Sequence, residues 1–275
     1  MILLYILAVL LSLFVVFTVA WAFLVSPGRA DERMEKYKSV KYAHRGLHGE
    51  GACENSLSAF KRAKDVGYGI ELDIRLSRDG ELVVFHDSDL QRVVGIDKKV
   101  DDMTVEELRG VRLADTDDYV PTFREVLDLV GGRVPLLVEI KVDSANDKTA
   151  EKFLREIEGY NGDYIVESFN PSALRVVKRA RPDILVGLLS MEYSGVEKFK
   201  GKPIFKCLEL LLSNFMYRPN FIAYEKSGAK KKYLHIYKKL FDVPFLAWTV
   251  KSEDEENASK ELFDSVIFEQ YMPEK

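Results

Sequence analysis

Four apolar runs in this chain end in residues that carry chemistry. Val40-Lys41-Tyr42-Ala43 leads into His44-Arg45-Gly46, and Gly69-Ile70 into Glu71-Leu72-Asp73. Leu82-Val83-Val84-Phe85 leads into His86-Asp87, and Leu136-Leu137-Val138 into Glu139-Ile140-Lys141. Glu71 and Asp73 stand two apart, so on a strand both carboxylates point to one face. Side by side they repel, and they require a shared cation or proton. Glu139, from another strand, completes a set of three. Such a set suits one hard divalent ion, Mg²⁺ or Ca²⁺, and the sequence holds no cluster of soft ligands. His44 and His86 add two imidazoles, a general acid and a general base tunable around neutral pH, as phosphodiester cleavage requires. Arg45 and Lys141 offer fixed positive charge for a phosphate and for the negative charge that builds on it. Taken singly, each residue has a plainer explanation as a surface charge, a helix cap or a packed histidine. Their joint occurrence at successive strand ends argues for a site. His48 reads as structural or close to substrate, and His235 as a helix packing residue.

The elements that would position these groups alternate. Strand candidates are Val40–Ala43, Gly69–Ile74, Leu82–Phe85, Leu136–Ile140, Tyr164–Ser168, Ile184–Leu189, Phe221–Tyr224, Phe245–Val250 and Ser265–Phe268. Several are continuously apolar, as strands buried on both faces should be. Between them lie amphipathic helices. Leu57–Val66 follows Ser56 as N-cap, and Thr122-Phe123-Arg124-Glu125 matches a capping box. Others are expected over Asp147–Glu158, Ser172–Ala180, Val196–Ser213, Ala229–Phe241 and Glu253–Leu262. Repeated strand–helix alternation argues for a parallel α/β fold, a TIM (β/α)8 barrel with catalytic groups at the C-terminal ends of its strands. Nine strand candidates compete for eight places, so either Leu82–Phe85 or the last run lies outside the ring. Residues 88–121 break the alternation and read as an excursion over the barrel mouth, with a short helix at Thr104–Arg109.

The first 26 of the 275 residues contain no charged side chain. As a helix, Ile2–Val25 would span about 36 Å, enough to cross a hydrocarbon core. Tyr5 and Trp21 sit near its ends, and Pro27-Gly28 stops it. A cleaved signal peptide is the rival, with Ala20-Trp21-Ala22 as a cleavage site, but no basic region precedes the run. The expected organisation is therefore a single-pass transmembrane anchor over 1–26, a juxtamembrane linker over 27–39 and the barrel over 40–275. Arg29, Arg33, Lys36, Lys38 and Lys41 follow the span and favour a cytoplasmic catalytic domain. A net charge of −4 gives no global basic field, and the lysines of 226–239 alternate with apolar residues, so no nucleic-acid partner is expected. Cys53 and Cys207, the only two cysteines, form no metal-ligand pattern.

The pattern resembles the glycerophosphodiester phosphodiesterase family. The matching segments are Ala43-His44-Arg45-Gly46, Glu54-Asn55-Ser56 with Ala59-Phe60, Glu71-Leu72-Asp73, Asp79-Gly80 and Val83 to Asp87. They continue with Leu90-Gln91-Arg92, Pro121-Thr122, Glu139-Ile140-Lys141, Ser168-Phe169 and Trp248-Thr249-Val250. They run in family order over about residues 40 to 250. The resemblance implies a TIM barrel that hydrolyses glycerophosphodiesters to glycerol 3-phosphate and an alcohol. It implies His44 and His86 as acid and base, and Glu71, Asp73 and Glu139 as ligands of one divalent cation. It also implies Arg45 and Lys141 on the phosphate, Glu54 and Asn55 shaping the pocket, and Trp248 as an apolar wall for the glycerol or the alcohol. A lysophospholipid substrate, cleaved as a lysophospholipase D cleaves it, is the alternative that the anchor makes attractive. A catalytically silent membrane-tethered scaffold is the alternative from another class. Three departures from the family pattern stand out: Cys53 where proline is usual, Lys251 where asparagine is usual, and Phe268-Glu269-Gln270-Tyr271-Met272-Pro273 in place of an Ile-Thr-Asp-x-Pro segment.

Overall fold

A computed structural model of the chain describes residues 1–142 and 148–274. Its strands are β1 (Tyr42–Ala43), β2 (Gly69–Leu76), β3 (Leu82–Val84), β4 (Leu136–Ile140), β5 (Tyr164–Ser168), β6 (Val186–Ser190), β7 (Phe221–Glu225), β8 (Phe245–Val250) and β9 (Ser265–Phe268). Eight of them close a parallel ring in the order β1, β2, β4, β5, β6, β7, β8, β9, with β9 returning to β1. The ninth candidate is thereby placed. β3 pairs antiparallel with β2 (Arg75 opposite Val83) and lies outside the ring, while the last run is a ring strand. The architecture is a TIM barrel.

Alternation along the strands separates two apolar layers. Ile70, Leu72, Ile74, Val138 and Val166 face the helices, in one core with Phe60, Phe123, Phe153 and Leu174. Tyr42, Leu137, Ile165, Phe221, Ala223, Leu246 and Ile267 fill the barrel interior. The helices end where their sequences direct. Ser56 accepts from the Ala59 N–H, and Gly67 closes that helix in the left-handed region. Thr122 and Glu125 form the reciprocal capping box that their spacing predicts.

Two expected helices differ. Val196–Ser213 is broken into a short 3-10 turn, Glu197–Phe199, and one helix, Pro203–Glu209. Pro203 lacks the N–H and Gly201 adopts φ +73°, so no continuous helix can cross them. The Ala229–Phe241 helix begins only at Lys232, after a 3-10 turn over Lys226–Lys230. The Asp147–Glu158 expectation corresponds to Lys148–Glu156, and Asp147 lies outside the described residues.

Residues 27–39, expected as a linker, run beneath the strands' N-terminal ends. The Gly28 N–H donates to Pro219 O just before β7 (2.8 Å), and Arg33 donates to Asp183 O just before β6 (2.7 Å). Met34 and Tyr37 are buried and join the interior cluster, so this segment is the floor of the barrel. The excursion has its own small core, in which Phe85, Leu90, Val100, Leu108, Leu113 and Val120 pack on Val83. Within it, Thr104 caps the helix Val105–Arg109 with a second capping box. The N-terminal helix Ile2–Val25 is long and apolar enough to cross a membrane, and its residues 1–20 are exposed. Its C-terminal end is docked: Asn214 and Tyr237 both donate to Val25 O, at 3.0 and 2.9 Å, and Trp21 packs against the core.

Gly187 in β6 faces Phe221 in the packed interior, where an added Cβ would lie 2.1 Å from the ring. Gly187→Ala is expected to destabilise the barrel by about 1–3 kcal/mol, the usual cost of overpacking a core, measured by denaturant unfolding. An unchanged midpoint would mean that the interior has room that this packing does not show.

Candidate active site

The sheet register brings the carboxylates together. Asp73 of β2 stands opposite Glu139 of β4, and Glu139 opposite Glu167 of β5. Glu71, two residues before Asp73, points to the same interior face. Ligand oxygens of Glu71, Asp73 and Glu139 all lie within 4.8 Å of one another, and the three side chains are buried. Positive groups interleave with them. Lys141 Nζ lies 2.7 Å from Glu139 Oε2 and 3.0 Å from Asp73 Oδ1. The Arg45 backbone N–H donates to Glu71 Oε2 at 2.8 Å, and Asn55 donates to Asp73 Oδ2 at 2.8 Å.

This balance is uneven. Burial opposes the Asp73 carboxylate, yet the charges of Lys141 and Arg45 and the Asn55 hydrogen bond hold its carboxyl well below the usual range. Burial, then the charges of Asp73 and Glu139, push the Glu71 carboxyl far up. Burial raises Glu139 to about 7 against the pull of Lys141. Left alone, such a cluster retains protons. An all-oxygen set of buried carboxylates that cannot all ionise together fits one hard divalent cation.

Both histidines reach the cleft with one ring nitrogen already engaged. His44 follows β1, its backbone N–H donating to Phe268 O of β9, and its ring Nδ1 lies 2.7 Å from Glu269 Oε2. His86 lies just beyond β3, and its Nδ1 is 2.6 Å from Asp87 Oδ1. Burial lowers the pKa of both imidazoles, outweighing Glu269 at His44 and bringing His86 to about 4. Glu269 is itself held well below the carboxylate range by His44, with His48 and Lys251. The carboxylates of Asp87 and Glu54 are bridged by Arg92, and Glu54 also takes Arg45 NH1 at 2.7 Å. Burial works against the Glu54 carboxylate, but these arginines hold it at about 2.

His44, Arg45, Glu71, His86, Glu139, Lys141 and Trp248 line one cleft of about 80 Å³. Glu54 and Asn55 do not line it; they hold Arg45 and Asp73 from behind. Trp248 meets Phe169 edge-on at 5.4 Å, and with Leu189 they form the cleft's apolar side.

Sequence reasoning passed over three acids. Asp87 follows His86 directly and was legible in the same motif. Glu269 ends the last apolar run, the same signal that exposed Glu71 and Glu139. Glu167 is a charge inside a continuously buried strand. It lines the cleft, its Oε2 has no hydrogen-bond partner among the described residues, and burial, then Glu71 and Glu139, raise its carboxyl far above the usual range. Two of the departures have structural roles. The Cys53 N–H donates to Asp118 Oδ2 at 3.0 Å, a bond that proline cannot make. Lys251, although exposed, lies 2.8 Å from Glu269 Oε1 and so pairs with the carboxylate that holds His44. His235 bonds Ala229 O at 2.7 Å and is a packing residue, as its sequence context indicates.

The fit of a divalent ion has a direct measure. Mg²⁺ or Ca²⁺ at about 100 times its dissociation constant is expected to stabilise the protein by about 2.7 kcal/mol, and Glu139→Gln should remove most of the gain in Tm. A full gain retained in the variant would exclude Glu139 as a ligand.

Comparison with known proteins follows the same lines. The sequence profile of the Glycerophosphoryl diester phosphodiesterase family matches residues 44–264. A glycerophosphodiester phosphodiesterase of Caldanaerobacter subterraneus is 37% identical over 164 residues, which cover 55% of this chain and 67% of that one. A lysophospholipase D of Rattus norvegicus is 27% identical over 156 residues, covering 52% of this chain and 48% of that one. The chain thus spans between about half and two thirds of these relatives' lengths. Among solved structures, an Oleispira antarctica phosphodiesterase in complex with the product sn-glycerol-3-phosphate superposes with a TM-score of 0.70, over 85% of this chain and 94% of that one, at 20% identity. At that identity the likeness shows the shared barrel, while the profile match over most of the chain carries the assignment: the chain belongs to the glycerophosphoryl diester phosphodiesterase family, a family of phosphoric diester hydrolases.

Proposed function

We propose that this protein is a membrane-anchored, divalent-metal-dependent phosphodiesterase that hydrolyses glycerophosphodiesters to glycerol 3-phosphate and an alcohol. The observation that carries the reading is one cleft lined by two carboxylate-backed imidazoles, a cation-seeking carboxylate cluster and two fixed cations. Glu71, Asp73 and Glu139 would hold one cation, Mg²⁺ or Ca²⁺. When bound, it supplies Lewis-acid polarisation of a phosphoryl oxygen.

The chain's own residues do the rest. Arg45 and Lys141 bind the phosphate and offset the charge that grows on its oxygens. Glu269 and Asp87 each accept from an Nδ1–H, which fixes the tautomer and leaves both Nε2 atoms free for proton transfer. One imidazole takes a proton from the attacking water, whose oxygen bonds to phosphorus as the P–O bond to the alcohol breaks, and the other, protonated once the anionic substrate is bound, gives a proton to the leaving alcohol oxygen. Phe169, Leu189 and Trp248 offer an apolar wall to the carbon skeleton. The exposed helix Ile2–Val25 supports the anchor, and the cations that follow it in sequence support a cytoplasmic catalytic domain. A lysophospholipid substrate is the second reading, favoured by that helix and by similarity to a lysophospholipase D.

Release of glycerol 3-phosphate from glycerophosphocholine in the presence of Mg²⁺ or Ca²⁺ tests the reading. His44→Ala and His86→Ala should each lower turnover by about 10²- to 10⁴-fold with Tm unchanged, and near-normal turnover would remove that residue from the mechanism. Glu269→Gln adds a sign. The carboxylate raises the His44 pKa, so its loss should move the limb of the pH–rate profile governed by His44 to lower pH. A limb that stays in place would leave Glu269 a purely structural role.

A further inference from the structure

The N-terminal helix does not lead away from the barrel floor. Its end lies low on the barrel, where Val25 O accepts from Asn214 and Tyr237, and the chain then passes under the strands at Gly28. From there the helix runs back up the barrel wall. Its Phe17, Trp21 and Val25 share a 320 Å³ apolar groove with Leu211, Tyr233 and Tyr237. Tyr233 is one residue into a helix that starts above β7 and descends, and its hydroxyl lies 3.0 Å from that of Tyr224, near the upper end of β7. Residues 1–16, about 24 Å of helix, are exposed and continue from the Phe17 end of that groove. A hydrocarbon core takes about 20 apolar residues, so a bilayer that receives this helix must come down to the barrel's mouth.

The loop that follows the upper end of β6 has the matching chemistry. Leu189 of β6 lines the cleft, and the chain that follows carries a buried-edge aromatic cluster of Tyr193, Phe199 and Phe205. Next to these rings lies Ile204, 63% exposed. Lys198 and Lys202 lie over the Phe199 and Phe205 rings, at 5.8 and 6.0 Å. Aromatic rings, an exposed aliphatic tip and lysines are the composition of a segment that sits among lipid headgroups.

We infer that the barrel rests mouth-first on the leaflet that its own helix enters, with the 191–209 loop among the headgroups. That arrangement would serve the second reading above, a lysophospholipid whose acyl chain stays in that leaflet. This rests on the anchor and on the phosphodiesterase reading of the cleft. Phe169, Leu189 and Trp248 line the cleft on the β5, β6 and β8 side, and the loop rises directly from β6.

The test uses the full chain in phosphatidylcholine–phosphatidylglycerol vesicles, with Cys53→Ser and Cys207→Ser. An environment-sensitive dye is placed through Ile204→Cys at the mouth or through Arg133→Cys at the floor. Brominated lipid should quench the dye at 204 and spare the one at 133. Protein that floats with the vesicles but shows no quenching at 204, or quenching at 133 instead, overturns the mouth-first arrangement and leaves the anchor standing. Protein that fails to float overturns the anchor and the inference together. In the same vesicles, the triple change Lys198→Glu, Ile204→Glu and Lys202→Glu should lower lysophosphatidylcholine hydrolysis by about tenfold or more. Soluble glycerophosphocholine should be cleaved as before. An equal loss on both substrates would overturn the docking role, and inactivity of the unaltered protein on both would overturn the catalytic reading instead.

Discussion

Repulsion among Glu71, Asp73 and Glu139 is the constraint around which the mouth of this barrel is arranged. Three carboxylates whose oxygens lie within 4.8 Å, almost shut off from water, would push the strands apart if all were ionised and uncompensated. The barrel answers with a lattice of counter-charges. Lys141 spans Glu139 and Asp73, Arg45 presents its backbone N–H to Glu71, and Asn55 holds Asp73. The parts that hold these groups are held in turn. Glu54 secures Arg45 and is tied through Arg92 to Asp87, which orients His86. A single hydrogen-bonded chain therefore runs from the metal-seeking cluster to one of the two imidazoles. A change to Glu54 would be felt at both ends.

The groups that make the cleft were legible because parallel barrel strands are buried on both faces, so a charge in them stands out against a continuous apolar run. Glu71, Asp73 and Glu139 are visible for that reason, and the i, i+2 spacing of the first two already fixes their shared face. What the sequence leaves open is which strands are neighbours. Glu167 gains its meaning only from standing opposite Glu139, and Glu269 only from the closure of β9 onto β1, which brings residue 269 beside residue 44. Both are consequences of ring closure, a long-range property. The same limit left nine strand candidates for eight places. The short antiparallel β3 has the same apolar composition as a ring strand, and only its pairing distinguishes it.

Helix boundaries failed for local reasons that were in plain view. Gly201 and Pro203 interrupt the 196–213 pattern, and apolar periodicity alone overrode them. Capping signals fared better, since Thr122 forms its reciprocal box with Glu125 where the spacing puts it. A cap is a contact between residues three apart, so the sequence contains all of it. A barrel neighbour is a contact between distant residues, so the sequence contains only its two halves.

The segment after the apolar helix shows how far a contact can reverse a sequence-level reading. Residues 27–39 look like a juxtamembrane tether because they are polar, basic and next to the span. Their cations are instead matched at the barrel floor, Arg33 with Asp31, Lys36 with Asp163 and Lys38 with Glu35. Met34 and Tyr37 lock the segment into the interior. The end of the helix lies instead beside Leu211, Tyr233 and Tyr237, residues distant from it in sequence. Adjacency to an apolar helix in sequence does not make this segment a free tether, because two of its side chains, Met34 and Tyr37, are buried. The C-terminal end of the apolar helix is thereby joined to the same barrel that carries the cleft, through Val25 as well as through the segment that follows it.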